Sequence, residues 1–520
     1  MPLLQTVLFL LLCAVALGWI ARHYRFPYPI ALVVGGGAMG FIPNLPDLPL
    51  DPQFILVLVL PPILYQAALL TSWRDFKANI GPIGRLAIGL VIVTTLAVGA
   101  AFKLLAPEVP WAVAFVLGAI VSPPDAVAAT TILSRLNIPR RVVTILEGES
   151  LVNDASGLVI YKFAVAAVIT GAFSILDAGV QFAQVAVGGA LVGSVLAMLF
   201  VAIHRRLGDT FIEVLTTLAV PYVAYVLAES LHLSGVLAVV AAGLVRGRYS
   251  PRIVSAETRI IARSVWNLLV FLLNCLVFML IGLQLSQVTA RLSGTPVAEL
   301  ILAAMLISTV AILVRFAWIY PAIWVARLLM GKARREAEPM PEAEPFIMSW
   351  CGMRGIVSLA AALALPVTIP GTETPFPERD LIVFLAFVVI AVTLVLQGLS
   401  LPALILRLKV ARDGSLYEEH HNASQSLGAA AVRAIEELAA AEGAPPDLTA
   451  HLCAEFSSKY DRAGAGTPAQ LERTVLALRM RDAALHAQRE ELIRIWRDNQ
   501  ISDDVLHHIE EDLDYHESHL

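Results

Sequence analysis

The sequence predicts an all-α polytopic membrane protein followed by a helical tail outside the bilayer. Three observations predict it. Of 520 residues, 58% are hydrophobic and only 15% charged, against roughly 45–50% and about 25% in a soluble domain. The apolar residues gather into runs near the ~20 residues that span a bilayer. The basic residues then fall almost entirely in every second junction between those runs.

Taken in order, the runs lie at about 3–21, 28–42, 53–70, 81–105, 111–133, 142–169, 179–203, 211–228, 233–245, 262–285, 296–326, 346–369 and 380–406, about thirteen segments. The first has no basic region before it and no small-residue cleavage site, so it reads as a span rather than a removed leader. The second and ninth are short, as in helices that tilt, break or pack inside a bundle. Odd-numbered junctions carry Arg22 and Arg25; Arg74, Lys77 and Arg85; Arg135, Arg140 and Arg141; Arg205 and Arg206; Arg246, Arg248 and Arg252; Arg327, Lys332, Arg334 and Arg335; then Arg407, Lys409 and Arg412. Even-numbered junctions carry Lys103, Arg291 and Arg379. The positive-inside rule therefore places the N-terminus outside and the C-terminus in the cytoplasm.

At about Val410 the composition changes. Residues 1–409 form the transmembrane part and 410–520 a charged, helix-forming cytoplasmic tail, read as regulatory. Its helices are broken at Gly443-Ala444-Pro445-Pro446 and Gly464-Ala465-Gly466. Eight of the eleven histidines lie in it, among them His420, His421, His507 and His508. Histidine titrates near neutrality, but a solvated helical face accounts for them without a sensing role. The four cysteines, Cys13, Cys275, Cys351 and Cys453, have neither the spacing of a disulfide framework nor that of a metal site.

The most informative stretch is Glu147-Gly148-Glu149-Ser150-Leu151-Val152-Asn153-Asp154, which opens the sixth run. An intramembrane carboxylate costs about 2.5–3.5 kcal/mol on insertion scales and marks a functional site by default. At helical spacing Ser150 shares a face with Asp154, and Glu149 with Asn153. That oxygen cluster suits a small, hard cation; the competing reading is that these groups only hold helices together. In the fifth run, Ser122-Pro123-Pro124-Asp125 breaks the helix, because two prolines remove backbone donors and clash with the turn before them. Carbonyls freed there bind cations in discontinuous helices, and half-helix N-termini balance nearby negative charge. The twelfth run holds Cys351-Gly352-Met353-Arg354-Gly355. Arg354 cannot deprotonate and needs a partner, for which Glu149 is the natural candidate in a structural ion pair. Gly352 and Gly355 would let backbones approach closely. Lys162 lies eight residues after Asp154, about 12 Å along the helix. It either snorkels to the outer interface in a structural role or pairs with a carboxylate.

Other patterns are set aside. Gly35-Gly36-Gly37-Ala38-Met39-Gly40 matches GxGxxG but lacks a βαβ setting, so close helix packing explains it. No Walker A, HExxH or GxSxG sequence is present, which argues against an ATP-driven pump or a common hydrolase.

These motifs together resemble the monovalent cation:proton antiporter 1 family, the sodium/proton exchangers, and within it the bacterial branch. The matching pieces are Leu60 through Leu69, Ser122 through Ala128, Glu147 through Gly157, Phe271 through Asn274, Ile281 through Leu285, Trp350 through Leu359, Gln397 through Pro402 and Ile501 through Leu506. The resemblance implies two inverted repeats with the broken helix at the ion site, a homodimer, and a core domain moving against a dimerisation domain. It implies Asp154 as the transported-ion carboxylate with Asp125 beside it, Ser150 and a carbonyl near Pro124 completing the shell, and Asn153 orienting it. Asp125, Ser150 and Asp154 would thus hold Na+. Gln66 stands where family members commonly have Glu, so it is a candidate for tuning the choice between Na+ and K+.

The expected activity is secondary active exchange of Na+ (or Li+ or K+) for H+ across a bacterial-type cytoplasmic membrane, and the resemblance implies that it is electroneutral, since family members with Asn before the key Asp swap one cation for one proton. Burial disfavours the charged carboxylates, so the site holds either a cation or a proton. A K+/H+ antiporter, a cation-binding sensor signalling through the tail, and a channel are the alternatives; nothing resembles a carbonyl-ring filter. No cofactor and no nucleic-acid partner is expected, only the bilayer, a second copy of the chain, and unassigned tail partners.

Overall fold

The computed structural model describes residues 2–24, 27–42, 54–133, 136, 138–171, 174–292, 296–329, 343–369, 374–408, 410, 415–461, 468–498, 500, 509 and 513. The chain divides into two compact units, Met1–Arg412 and Asp413–Leu520. The predicted pieces at Ile501 through Leu506, His507 and His508 lie outside the described residues.

Among its described residues the regular structure of the first unit is helical, apart from one isolated bridge between Thr368 and Pro375. Its helices are α1 (Pro2–His23), α2 (Tyr28–Met39), α3 (Leu60–Leu70), α4 (Trp73–Ala78), α5 (Ile80–Gly84), α6 (Val91–Leu105), α7 (Trp111–Val121), α8 (Ala126–Leu133) and α9 (Arg140–Thr170). Then follow α10 (Ile175–His204), α11 (Thr210–Ser230), α12 (Gly235–Ile253), α13 (Ala256–Arg291), α14 (Val297–Leu329), α15 (Ala343–Trp350), α16 (Ile356–Leu363), α17 (Arg379–Val392) and α18 (Gly398–Leu408). Among the described residues seven helices are long and apolar enough to cross a membrane, and four shorter apolar helices accompany them. Large apolar side chains such as Phe211, Leu215, Leu302 and Met305 are more than 60% exposed, as expected of helix faces turned to lipid rather than water.

Local signals set where helices start and stop. Ser174, Asp209, Ser234 and Ser255 each accept the backbone N–H three residues on, capping α10 to α13. Gly171 ends α9 in the left-handed conformation at φ 68°. One stretch interrupts an apolar run: α7 stops at Val121 and α8 resumes at Ala126, across Pro123 and Pro124. A second break, unforeseen from the sequence, separates α15 from α16 at residues 351–355.

The helices sort into two sets. α2 packs along α13, α10 along α12, and α12 on α3 and α11. In the other set α6 packs on α7 and α14, α7 on α9, and α16 on α7 and α17. Between the sets, α9 touches α3, α10 and α12 only lightly. The GxGxxG stretch lies on the α2–α13 contact, where a Cβ on Gly36 would come within 3.2 Å of the Gly282 Cα. Close packing, not a nucleotide, accounts for those glycines.

The second unit contains α19 (Ser415–Glu442), α20 (Pro446–Asp461) and α21 (Pro468–Arg497). α19 ends at Gly443, φ 66°, with the Ala444 N–H returning to Ala439 O at 3.0 Å. This left-handed stop and the two prolines after it fold α20 back onto α19.

Candidate cation site

Both helix breaks meet beside the middle of α9. Asp125, in the first break, donates its backbone N–H to Met353 O in the second at 2.6 Å. Its carboxylate accepts from the Val127 N–H at 2.8 Å and the Ile356 N–H at 3.4 Å. Those donors belong to the first turns of α8 and α16, so one anion serves two half-helix N-termini and complements both dipoles. At the opposite ends, Arg354 donates from Nε to Val121 O at 3.0 Å, where α7 stops. It also donates from Nη2 to Ala311 O at 3.0 Å and from Nη1 to Gly352 O, just past α15. Its own N–H reaches Thr393 Oγ1 at 3.1 Å. One cation thus covers the carbonyl ends that one anion covers on the amide side.

α9 presents the remaining groups. The Ser150 hydroxyl accepts the Ala126 N–H at 3.2 Å, fixing α8 to α9. Asn153, fully buried, donates through Nδ2 to Pro124 O at 2.9 Å. The break carbonyl that sequence reasoning singled out is therefore held, and Asn153 Oδ1 is left buried without a donor. Asp154 is 6% exposed, and among the described residues no hydrogen bond reaches its carboxylate. It lies close enough to Asp125 for the two charges to act on each other. Burial of a charge without a partner is tolerated only when something neutralises it.

The expected Glu149–Arg354 ion pair is not what the structure contains. Glu149 is gripped in two parallel bonds by Arg315, Nη1 to Oε1 at 2.5 Å and Nη2 to Oε2 at 2.7 Å, with Arg315 Nε on Met348 O at 2.9 Å. The planar fork of Arg315 matches the carboxylate edge on, while the donors of Arg354 are taken by helix-end carbonyls. Sequence reasoning missed Arg315 because it sits within an apolar run, although an intramembrane arginine is itself the signal. Gly352 and Gly355 serve a related purpose: they leave room for side chains, those of Arg315 and Asp125, rather than for another backbone. Gln66 donates to Asn267 Oδ1 at 2.9 Å, and Lys162 pairs with Glu229 at 3.3 Å while its side chain stays 64% exposed.

Asp154, Asp125, Ser150 and Asn153 each carry a side-chain oxygen here, a donor set that fits a hard alkali cation or a proton. Among the described residues no three of His, Cys, Asp and Glu gather as a conventional metal site.

Comparison with known proteins agrees with this chemistry. A family model described as sodium/hydrogen exchanger, transmembrane, matches residues 7–407. An uncharacterized Na+/H+ exchanger of Mycobacterium bovis is 34% identical over 99% of this chain and 96% of its own length. A sodium, potassium, lithium and rubidium/H+ antiporter of Bacillus pumilus is 35% identical over 78% of this chain and 61% of its own length. The solved sodium proton antiporter MjNhaP1 of Methanocaldococcus jannaschii superimposes with a TM-score of 0.61 over 78% of this chain and 99% of its own, at 20% identity, and so shares the fold. These are transporters, not enzymes, and the chain belongs to the monovalent cation:proton antiporter family, the transmembrane sodium/hydrogen exchangers.

Proposed function

We propose that this chain exchanges Na+, or Li+ or K+, for H+ one for one, by alternating access at a site centred on Asp154. The observation that carries the reading is the charge balance around the two breaks. Glu149 is matched by Arg315. Asp125 and Arg354 answer each other across the crossed half-helices. Asp154 alone has no matching cation or donor among the described groups of the site. A single unmatched buried charge is relieved by one alkali ion or one proton, and both at once would overcharge the site.

The occupied forms then carry the same charge, so the loaded core crosses the membrane without net charge movement. Asp154 and Asp125 supply carboxylate oxygens, Ser150 a hydroxyl, and Pro124 a carbonyl held in place by Asn153. Glu149, Arg315 and Arg354 keep the two half-helix pairs assembled. Gln66 adds no third carboxylate, which leaves the choice among alkali ions to the shape of the Asp154 site. The protein acts as a homodimer in the cytoplasmic membrane, with its Arg-rich junctions inside and its C-terminal unit in the cytoplasm. Proteoliposomes carrying a pH dye test this: Na+ addition collapses an imposed proton gradient in the native chain, and Asp154→Asn abolishes the response. Full exchange in that variant would remove Asp154 from its central place.

A further inference from the structure

Two turns beyond Asp154 on α9, toward the end of the bundle where basic residues are sparse, Lys162 crosses to the other helix set. Its Nζ lies 3.3 Å from Glu229 Oε2, on the last turns of α11. The other carboxylate oxygen, Oε1, accepts the Gly235 N–H at 3.3 Å, at the start of α12. Glu229 is thus seated on a helix N-terminus and belongs to the α10–α13 set, while Lys162 belongs to the helix that bears the ion site. Gly235 makes the seat possible, since a Cβ there would lie 2.7 Å from the Tyr225 ring and 3.1 Å from Glu229 Cγ.

Beneath the pair is a cavity of about 70 Å3, walled by Leu56, Leu158, Val159, Tyr225, Val236 and Ala361. Its lining includes Ala155, the residue that follows Asp154 on α9, together with Lys162 and Glu229, while Asp154 itself lies outside the lining. A water needs only ~10–15 Å3 of such space, so the void exceeds a single water. The walls come from both helix sets, α9 and α16 on one side, α11 and α12 on the other. Exposed ion pairs are weak, with a median near 0–1 kcal/mol, which suits a contact that breaks in every cycle.

We propose that Lys162 and Glu229 are the gate on the outer side of the ion pathway. The pair closes the passage leading from Asp154 in this conformation, and it parts when α9 moves against α11 and α12. The inference rests on the alternating-access reading above. It assigns to these two residues a gating role in exchange, with no contact to the transported ion.

The test uses the full chain with its native cysteines replaced, reconstituted in proteoliposomes. Lys162→Cys and Glu229→Cys are combined and bridged with a bifunctional methanethiosulfonate. Bridging should bring Na+-dependent proton flux down to the level of Asp154→Asn, and reduction should restore it. In a second series a single Leu158→Cys reports access from the outer face to a membrane-impermeant thiol reagent. Lys162→Gln or Glu229→Gln should speed that labelling severalfold, while Na+ binding by calorimetry shows that the variants are folded. Undiminished flux across the bridge, or labelling of Leu158→Cys unchanged by either neutralisation, would overturn the gate and leave the exchange reading standing. Exchange that survives Asp154→Asn would instead overturn the reading on which the gate depends.

Discussion

Removing one partner of the Glu149–Arg315 pair should harm the protein far more than removing both. Each side chain is 2% exposed, and the bonds between them are parallel at 2.5 and 2.7 Å. Glu149→Gln leaves a buried guanidinium without a counter-charge, with one amide oxygen and Met348 O in place of the carboxylate pair. Breaking a buried pair in this way costs about 3–5 kcal/mol, whereas apolar replacement of both partners is often neutral or stabilising. At about 1.4 kcal/mol per decade, the single change shifts the folding equilibrium by roughly two to three and a half orders of magnitude. The assay is thermal unfolding in detergent of the native chain, Glu149→Gln, Arg315→Met, and the double Glu149→Leu/Arg315→Met. Both single variants should melt well below the native chain and the double variant near it. A parallel cycle with Arg354→Met should give much weaker coupling to Glu149, because Arg354 bonds to carbonyls. Single variants as stable as the native chain, or equal coupling of Glu149 to both arginines, would refute the pairing. Exchange should persist in the double variant, since the pair holds the site and does not carry the ion.

Further outcomes concern the site itself. Gly355→Ala places a Cβ 2.6 Å from both Cβ and Cγ of Asp125, which no rotation of the carboxylate relieves; flux should vanish while the protein remains in the membrane. Asn153→Ala leaves Pro124 O buried without its donor, a cost of about 1–3 kcal/mol, seen as a lower melting temperature together with a raised half-saturation for Na+. Ser150→Ala removes the acceptor of the Ala126 N–H and a ligand hydroxyl. At about 1 kcal/mol per hydrogen bond it should raise the Na+ half-saturation roughly fivefold in the flux assay.

What the sequence disclosed follows from the cost of polarity in a bilayer. Asp154, Asn153 and Ser150 stand out because each is expensive in an apolar run and they recur at helical spacing. The first break is legible because Pro123 and Pro124 cannot continue a helix. The second break lacks proline. Its five residues, Cys351 to Gly355, pass as a small, close-packing segment, and the conformation is held by Asp125 bonding in from the first break and by Arg354 bonding out of the segment to Val121 O. Partner choice was illegible for the same reason. Nothing local distinguishes Arg315 from Arg354 as the mate of Glu149; only the meeting of α9, α14 and α15 does. Lys162 likewise kept two readings open until Glu229, 67 residues away, was placed beside it.

The central claim is that one unmatched carboxylate accepts an alkali ion or a proton but never both. Calorimetric Na+ titration of the purified chain in buffers of different ionisation enthalpy counts the protons released per ion bound. The account predicts close to one proton per Na+ at acid pH, an apparent affinity that drops about tenfold for each unit by which the pH is lowered there, and loss of both signals in Asp154→Asn. Na+ binding that releases no proton and ignores pH would contradict it.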